Sequence, residues 1–304
     1  MHCDLPVWRS MLFTPAISER FIASAARSGA DAVQLDLEDS VPLEQKGQAR
    51  DRIARAARTV AASGSDVIVR INSPWRLAVR DLEAAVLPTV RAINLPKTAD
   101  AGHVRAVAEV IDELEAERGI ASGATGIVAM IETPSALLDM RAIASASPRV
   151  RAVALGAEDL AANMDMRPSE DALYGPSTAL VAAARAAGCL PIGLVASVAD
   201  YGAGSAFADA ARRARGLGFA GAMCVHPQQV STLNDAFRPD PDELVDARAI
   251  IEAAASNRGA FSLDGRMVDR PVVERAQAVL NAEERIIERQ SKRRNKAIVP
   301  DANP

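Results

Sequence analysis

Apolar residues gather in short runs, and the stretches between them carry the spacing of amphipathic helices. A first strand is predicted over residues 9–14, ended by Pro15. Seven more follow, over 32–38, 66–72, 92–95, 126–132, 150–155, 190–195 and 221–225. Helices are predicted between them near 18–28, 43–62, 76–87, 101–118, 135–145, 176–187 and 205–217. Ser18 is placed to cap the first helix, and Gly29 lies just past its end. Strict alternation of strand and helix argues for a parallel sheet. Eight such units close naturally into a (β/α)8 TIM barrel. A doubly wound sheet usually carries about five to seven strands. No G-x-G-x-x-G follows the first strand, which weakens a dinucleotide-binding reading.

A barrel takes roughly 250 residues, and the chain has 304. After the eighth strand come His226-Pro227 and a helix to about Asn234, and then Pro239 and Pro241 mark a break. Beyond it lie a helix near 242–257, a glycine-bounded turn (RGAFSLDGRMVD) and a helix near 271–288. The predicted organisation is a barrel over 1–237, a C-terminal helical extension over 238–290 and a basic disordered tail over 291–304. The extension is apolar enough to dock onto its own barrel or a neighbour.

Apolar residues make up 49% of the chain and charged residues 24%, as in a folded globular protein. Only ten residues are aromatic, so aliphatic side chains must fill the core, and stacking platforms for single-stranded nucleic acid are not expected. The net charge of −4 provides no field for a polyphosphate backbone. The basic tail (Arg285, Arg289, Lys292, Arg293, Arg294, Lys296) reads as a solvated terminus. Cys3, Cys189 and Cys224 are few, odd in number and lack metal spacing. The first residues, MHCDLPVWRS, have no basic-then-apolar signal pattern, and no 18-residue apolar run occurs. A cytoplasmic protein, bound to neither membrane nor nucleic acid, is expected.

Barrel enzymes place their chemistry at the C-terminal ends of the strands. Those ends carry Asp36-Leu37-Glu38-Asp39, Arg70-Ile71-Asn72, Pro96-Lys97, Glu132-Thr133, Glu158-Asp159 and His226. Glu132 and Asp159 fall on neighbouring strands about 4.8 Å apart. Such a pair either binds a cation, as in oxygen-ligated Mg2+ sites, or divides between a helix cap and an arginine pair. Asp36 and Glu38 share one strand face. With Asp39 they either bond waters around a metal or cap the next helix. Arg70 either grips a carboxylate or carbonyl oxygen or pairs with one of these acids. His226 reads as a packed turn histidine.

The chain resembles the citrate lyase β-subunit-like branch of the HpcH/HpaI aldolase superfamily, which includes malyl-CoA and citramalyl-CoA lyases. The matching segments are RSMLFTPA (9–16), LDLEDSVPLEQKGQAR (35–50), VRINS (69–73), LPK (95–97), IETPSAL (131–137), LGAEDLA (155–161), GFAGAMCVHPQQV (218–230) and DGRMVD (264–269). They run in family order along nearly the whole chain. One departure is Ala16, where relatives often have glycine. The resemblance implies a Mg2+-dependent barrel, with Mn2+ as an alternative ion, that cleaves or forms a carbon–carbon bond beside a thioester. It implies Glu132 and Asp159 as metal ligands, and Arg70 as the arginine on the reacting carbonyl. Glu38 and Asp39 match the acids around the metal waters. Asp269 resembles an acid delivered from a neighbouring subunit, which implies a homotrimer or hexamer. Arg9 and Lys46 are candidates for the phosphates of CoA. The implied partners are a CoA thioester and a 2-oxo acid. The alternatives are a carrier-protein thioester, as for a citrate lyase β subunit, or free oxo acids, as in class II aldolases. The latter carry a histidine just after the strand-two acid, where Ser40 and Val41 stand here.

Overall fold

The computed structural model describes residues 5–196, 205–257 and 259–298. Its barrel strands are β1 (Ser10–Pro15), β2 (Ala32–Asp36), β3 (Asp66–Arg70), β4 (Val90–Leu95), β5 (Gly126–Ile131), β6 (Val150–Leu155), β7 (Leu190–Ile192) and β8 (Ala222–Cys224). All paired neighbours are parallel, in the order β7-β6-β5-β4-β3-β2-β1-β8. The ring closes through a parallel bridge between Ile192 and Gly221, where Gly193 N–H donates to the Gly221 carbonyl at 3.0 Å. This is the predicted TIM barrel.

The helices of the barrel unit are α1 (Glu19–Arg27), α2 (Lys46–Ala62), α3 (Trp75–Ala85), α4 (Ala101–Glu117), α5 (Pro134–Leu138), α6 (Met140–Ala144), α7 (Ala157–Asn163), α8 (Glu170–Ala187), α9 (Ser205–Gly216) and α10 (Pro227–Ala236). The strand period of two sorts the core into two layers. Val33, Leu35, Val67, Val69, Ile93 and Ile127 face outward against helix residues such as Ile53, Leu82 and Ile111. Met11, Ala32, Ile68, Ala92, Val128 and Ile192 fill the inside. Each large aliphatic side chain so buried is worth roughly 1.5–3 kcal/mol. Trp8 joins the inner cluster at the N-terminal ends of the strands, its indole N–H donating to Asp66 at 2.8 Å.

Three elements differ from the pattern-based reading. The helix expected over 135–145 is two short helices, α5 and α6, meeting at Asp139. The helix expected from Pro176 begins at Glu170, capped by the Ser169 hydroxyl, so Pro176 lies inside it; α7 precedes it. The turn before the last helix contains a hairpin, β9 (Phe261–Leu263) and β10 (Arg266–Val268). Its two-residue loop, Asp264-Gly265, holds both φ angles positive, at 49° and 75°, as a type I′ turn demands.

The chain divides into two compact units, 1–237 and 238–304. The second contains α11 (Pro241–Ser256), the hairpin and α12 (Arg270–Ile298) around Ala247, Ile250, Val268 and Ala276. Asp240 and Glu243 form a capping box at the start of α11. Helix α12 runs ten residues past the expected Glu288, so Lys292, Arg293 and Arg294 lie on it. Among the described residues no helix is long and apolar enough to cross a membrane.

Candidate active site

The C-terminal ends of the barrel strands surround a cavity of about 480 Å3, within the usual range for small-molecule sites. Asp36, Asp39, Arg70, Glu132, Glu158 and Asp159 supply its charges, and Phe13, Met130, Leu155, Met223 and Val225 its apolar wall. Period-two alternation brings Asp36 and Arg70 here: they end β2 and β3 as direct register partners.

Arg70 is gripped from one side. Its Nε and Nη2 donate to the two Asp36 oxygens at 2.7 and 2.8 Å. The same oxygens accept the Glu38 and Ser40 backbone N–H groups at 2.9 and 3.1 Å. Burial, the largest influence on Asp36, opposes ionisation, but Arg70 and the two N–H groups win and hold its carboxyl below the usual range. Asp36 is therefore fully occupied in aiming the guanidinium, a different job from bonding waters around a metal. Arg70 Nη1 also lies 2.9 Å from Glu38 and 3.6 Å from Asp39, and its plane sits 4.6 Å from the Phe13 ring centre. Both sequence readings of Arg70 meet here: it is ion-paired, and it lines the cavity.

Glu132 is buried directly after β5. One of its oxygens accepts the Lys97 backbone N–H. Lys97 stands at φ 46°, a left-handed conformation unusual for a residue with a side chain. Its ammonium reaches Glu38 at 2.8 Å. The strand-end pattern displays Lys97 but assigns it no task; the Pro96-Lys97 pair at a strand end is its signal in the sequence. Burial is the main reason the Glu132 carboxyl is pushed up to about 7; Asp159 and Glu38 add to it, and the Lys97 N–H opposes it. Burial likewise raises Glu38, against the pull of Arg70 and Lys97. Asp159 sits in the first turn of α7, and the Asn163 amide ties the backbone carbonyls of Glu132 and Asp159 together at 3.1 and 2.8 Å.

Gly156, before α7, makes room for this arrangement. A Cβ there would come within 2.6 Å of Glu132 Oε1 and 2.4 Å of its Cγ. Gly156→Ala is expected to displace the Glu132 carboxylate while leaving the barrel folded. Its check is a Mg2+ titration beside a melting curve: weaker binding with a nearly unchanged Tm is the expected pair of results.

Two candidates have other work. Arg9 precedes β1, at the opposite end of the barrel from the cavity, and is buried. Its Nε and Nη2 bond the Asp31 carboxylate at 2.8 and 3.0 Å, and its Nη1 the Asn234 carbonyl at 3.1 Å. It is a structural ion pair, not a phosphate ligand. Lys46 is also buried, its ammonium donating to the Leu37 and Glu38 carbonyls at 2.8 and 2.7 Å. Burial pushes its pKa down. It anchors the acidic loop after β2 and lines the cavity that Glu38, Asp39 and Lys97 also face. Behind that loop, Asn72 bonds both the Leu37 carbonyl and Asp81, and Arg50 completes the chain. His226 caps α10, its Nδ1 accepting the Gln228 N–H at 3.2 Å. Asp269 belongs to the second unit, where its carboxylate accepts the Val272 N–H at the start of α12.

Among the described residues no group of three His, Cys, Asp or Glu side chains gathers as a metal cage. The oxygen donors that share the cavity wall are carboxylates, with Glu132 seated against the side-chain-free face of Gly156. An oxygen-only set with room for water and substrate fits a Mg2+-type ion and not zinc.

The model of the HpcH/HpaI aldolase/citrate lyase family matches residues 9–227. Citrate lyase subunit beta of Escherichia coli (strain K12) is 36% identical over 91% of this chain and 93% of its own length. L-malyl-CoA/beta-methylmalyl-CoA lyase of Cereibacter sphaeroides is 32% identical over 91% of this chain and 95% of its own. Among solved structures, the protein CitE from Mycobacterium tuberculosis, in complex with magnesium, acetoacetate and coenzyme A, superposes with a TM-score of 0.73 at 29% identity. That match covers 92% of this chain and 99% of the solved one. The chain belongs to the HpcH/HpaI aldolase/citrate lyase family.

Proposed function

We propose that the barrel is a Mg2+-dependent carbon–carbon lyase. It cleaves, or in reverse forms, a 3-hydroxyacyl-CoA thioester, giving a 2-oxo acid and an acyl-CoA. The observation that carries this is the meeting of Glu132, Asp159 and Arg70 on one half-apolar cavity at the strand ends. The relatives named as lyases, and the CitE structure that holds magnesium and coenzyme A, support it.

Glu132 and Asp159 would hold the ion. When bound, it supplies Lewis-acid stabilisation of the oxygen that turns from hydroxyl to carbonyl. Cleavage takes a proton from that hydroxyl and sends the pair of the breaking bond to the carbon beside the thioester. Arg70 donates to the thioester oxygen, where this charge collects; it stays charged, because Asp36 and Glu38 outweigh its burial. One proton returns to the carbon, so no external oxidant or reductant is needed. Asp269 is the group proposed to deliver it, in trans within a homotrimer or hexamer. Asp269→Asn should stop turnover while substrate binding persists. Mixing it with Arg70→Ala subunits should restore part of the activity; no rescue despite subunit exchange contradicts action in trans.

The pH dependence follows from Glu132. Its carboxyl titrates near 7 in the metal-free fold, against 4.5 as its ordinary value. The folded state thus holds this proton more tightly than the unfolded one. Its contribution to metal-free stability falls as pH rises from about 4.5 to 7. Bound Mg2+ needs the carboxylate, so the Tm gain on adding Mg2+ should be larger at pH 8 than at pH 6. An equal or smaller gain at pH 8 removes Glu132 as a ligand.

A carrier-protein thioester is the second reading, favoured by the likeness to citrate lyase subunit beta. Parallel assays with CoA thioesters, carrier-protein thioesters and free pyruvate plus aldehyde separate the three substrate classes. Activity confined to the last overturns the thioester reading.

A further inference from the structure

Lys97 touches two acids of the strand-end loops, Glu132 through its backbone and Glu38 through its ammonium. It stands in the turn after β4, where the Thr98 hydroxyl donates to the Leu95 carbonyl at 3.0 Å. Its left-handed backbone and the bond from its N–H to Glu132 fix the point from which the side chain leaves. The ammonium donates to Glu38 Oε1 at 2.8 Å. Among the described residues this is the one hydrogen bond to the Glu38 carboxylate. The other oxygen, Oε2, lies 2.9 Å from Arg70 Nη1, yet no donor is aligned on it. Asp39 lies 3.6 Å from Arg70 and 3.7 Å from Lys97, with 58% of its side chain exposed. The Lys46 ammonium bonds the Leu37 and Glu38 backbone carbonyls. Glu38 and Lys97 line a second cavity of about 530 Å3, whereas Arg70 lines the first, and Asp39 lines both. Glu38 is thus a buried acid between two cations, bonded to one and only attracted by the other.

We infer that Lys97 is a positioning residue for Arg70: its ammonium holds the Glu38 carboxylate toward the second cavity and so keeps Arg70 Nη1 for the substrate oxygen. This rests on the lyase reading above. Nε and Nη2 of Arg70 are already committed to Asp36, at 2.7 and 2.8 Å. Nη1 is the nitrogen left for a developing oxyanion. Charge-assisted bonds between a guanidinium and a carboxylate are among the strong ones. At 2.9 Å, a turn of the carboxylate is enough to align Oε2 on Nη1. The bond from Lys97 to Oε1 opposes that turn. A donor already taken by a carboxylate gives little to charge that develops later on the thioester oxygen.

The test is a double-mutant cycle in kcat, with Lys97→Met, Glu38→Gln and the two combined, beside Mg2+ titrations and melting curves. Lys97→Met keeps the length of the side chain and removes its charge. Alone, it should lower kcat about 10–100-fold, the scale for a misplaced catalytic group, with Mg2+ affinity nearly unchanged. In the Glu38→Gln background the charge that Lys97 restrains is gone, so the same change should alter kcat by no more than about twofold. Lys97→Arg restores a cation and should restore most of the rate. Full kcat in Lys97→Met, or equal losses in both backgrounds, overturns the inference. So does a loss of Mg2+ affinity as large as the loss of rate, because Lys97 would then act through Glu132. If Lys97→Met melts early, Lys97→Gly, which takes a positive φ without strain, carries the same cycle. These outcomes leave the lyase reading standing. A wild-type protein that cleaves no thioester overturns both.

Discussion

Glu132→Gln and Asp159→Asn should each abolish Mg2+ binding and, with it, turnover. Each removes one of the two anionic donors proposed for the ion while keeping the shape of the side chain. Loss of a partner that merely orients a metal ligand costs about 10–100-fold in affinity; loss of a ligand should exceed that. The amide introduced by Glu132→Gln would still offer an oxygen to the Lys97 N–H, the bond that now seats Glu132. Above pH 7 the change also removes a buried negative charge whose neighbours Asp159 and Glu38 oppose it. The metal-free Tm should therefore hold or rise, which separates lost binding from lost folding. Isothermal titration with Mg2+ and a melting curve on the same samples decide it. Full turnover in either variant with Mg2+ chelated would sink the metal assignment.

Arg70 carries the second large effect, and it has two parts. Removing one preorganised donor to a developing oxyanion costs about 10²–10³ in kcat. Removing one partner of a buried ion pair costs about 3–5 kcal/mol of stability, and Asp36, with 2% of its side chain exposed, would be left behind. Arg70→Ala should show both losses. Arg70→Lys keeps the charge but cannot make two parallel bonds to Asp36. It should recover much of the stability and little of the rate. A lysine variant with undiminished kcat means that positive charge alone suffices and that the fork held by Asp36 has no catalytic part.

The barrel was legible because the strands are short, mostly apolar runs and the helices between them are amphipathic. The placement of Asp36, Arg70, Glu132 and Asp159 was legible through one rule, that strand C-terminal ends converge. Where the reading failed, the cause was a competing local preference. Pro176 looked like a helix start, yet Ser169 caps the helix seven residues earlier. The Asp-Gly pair at 264–265 is a strong hairpin signal that short flanking strands concealed. Arg9 and Lys46 show the limit for charged residues: a sequence displays a cation but not the carbonyls and carboxylates that fold around it. Arg9 also stands before its strand, at the end away from the site, and the strand-end rule could have excluded it. Lys97 was missed for the opposite reason. Its work is done through a backbone N–H in a left-handed conformation, which side-chain chemistry does not announce.

The most direct measurement is the release of 2-oxo acid from a panel of 3-hydroxyacyl-CoA thioesters, with Mg2+ and again with excess chelator. The wild-type protein should release stoichiometric 2-oxo acid and acyl-CoA with Mg2+ and essentially none with chelator. Glu132→Gln should release none in either condition. Cleavage that persists in the chelated wild type, or no cleavage of any thioester by folded, Mg2+-loaded protein, would contradict the assignment of a Mg2+-dependent thioester lyase.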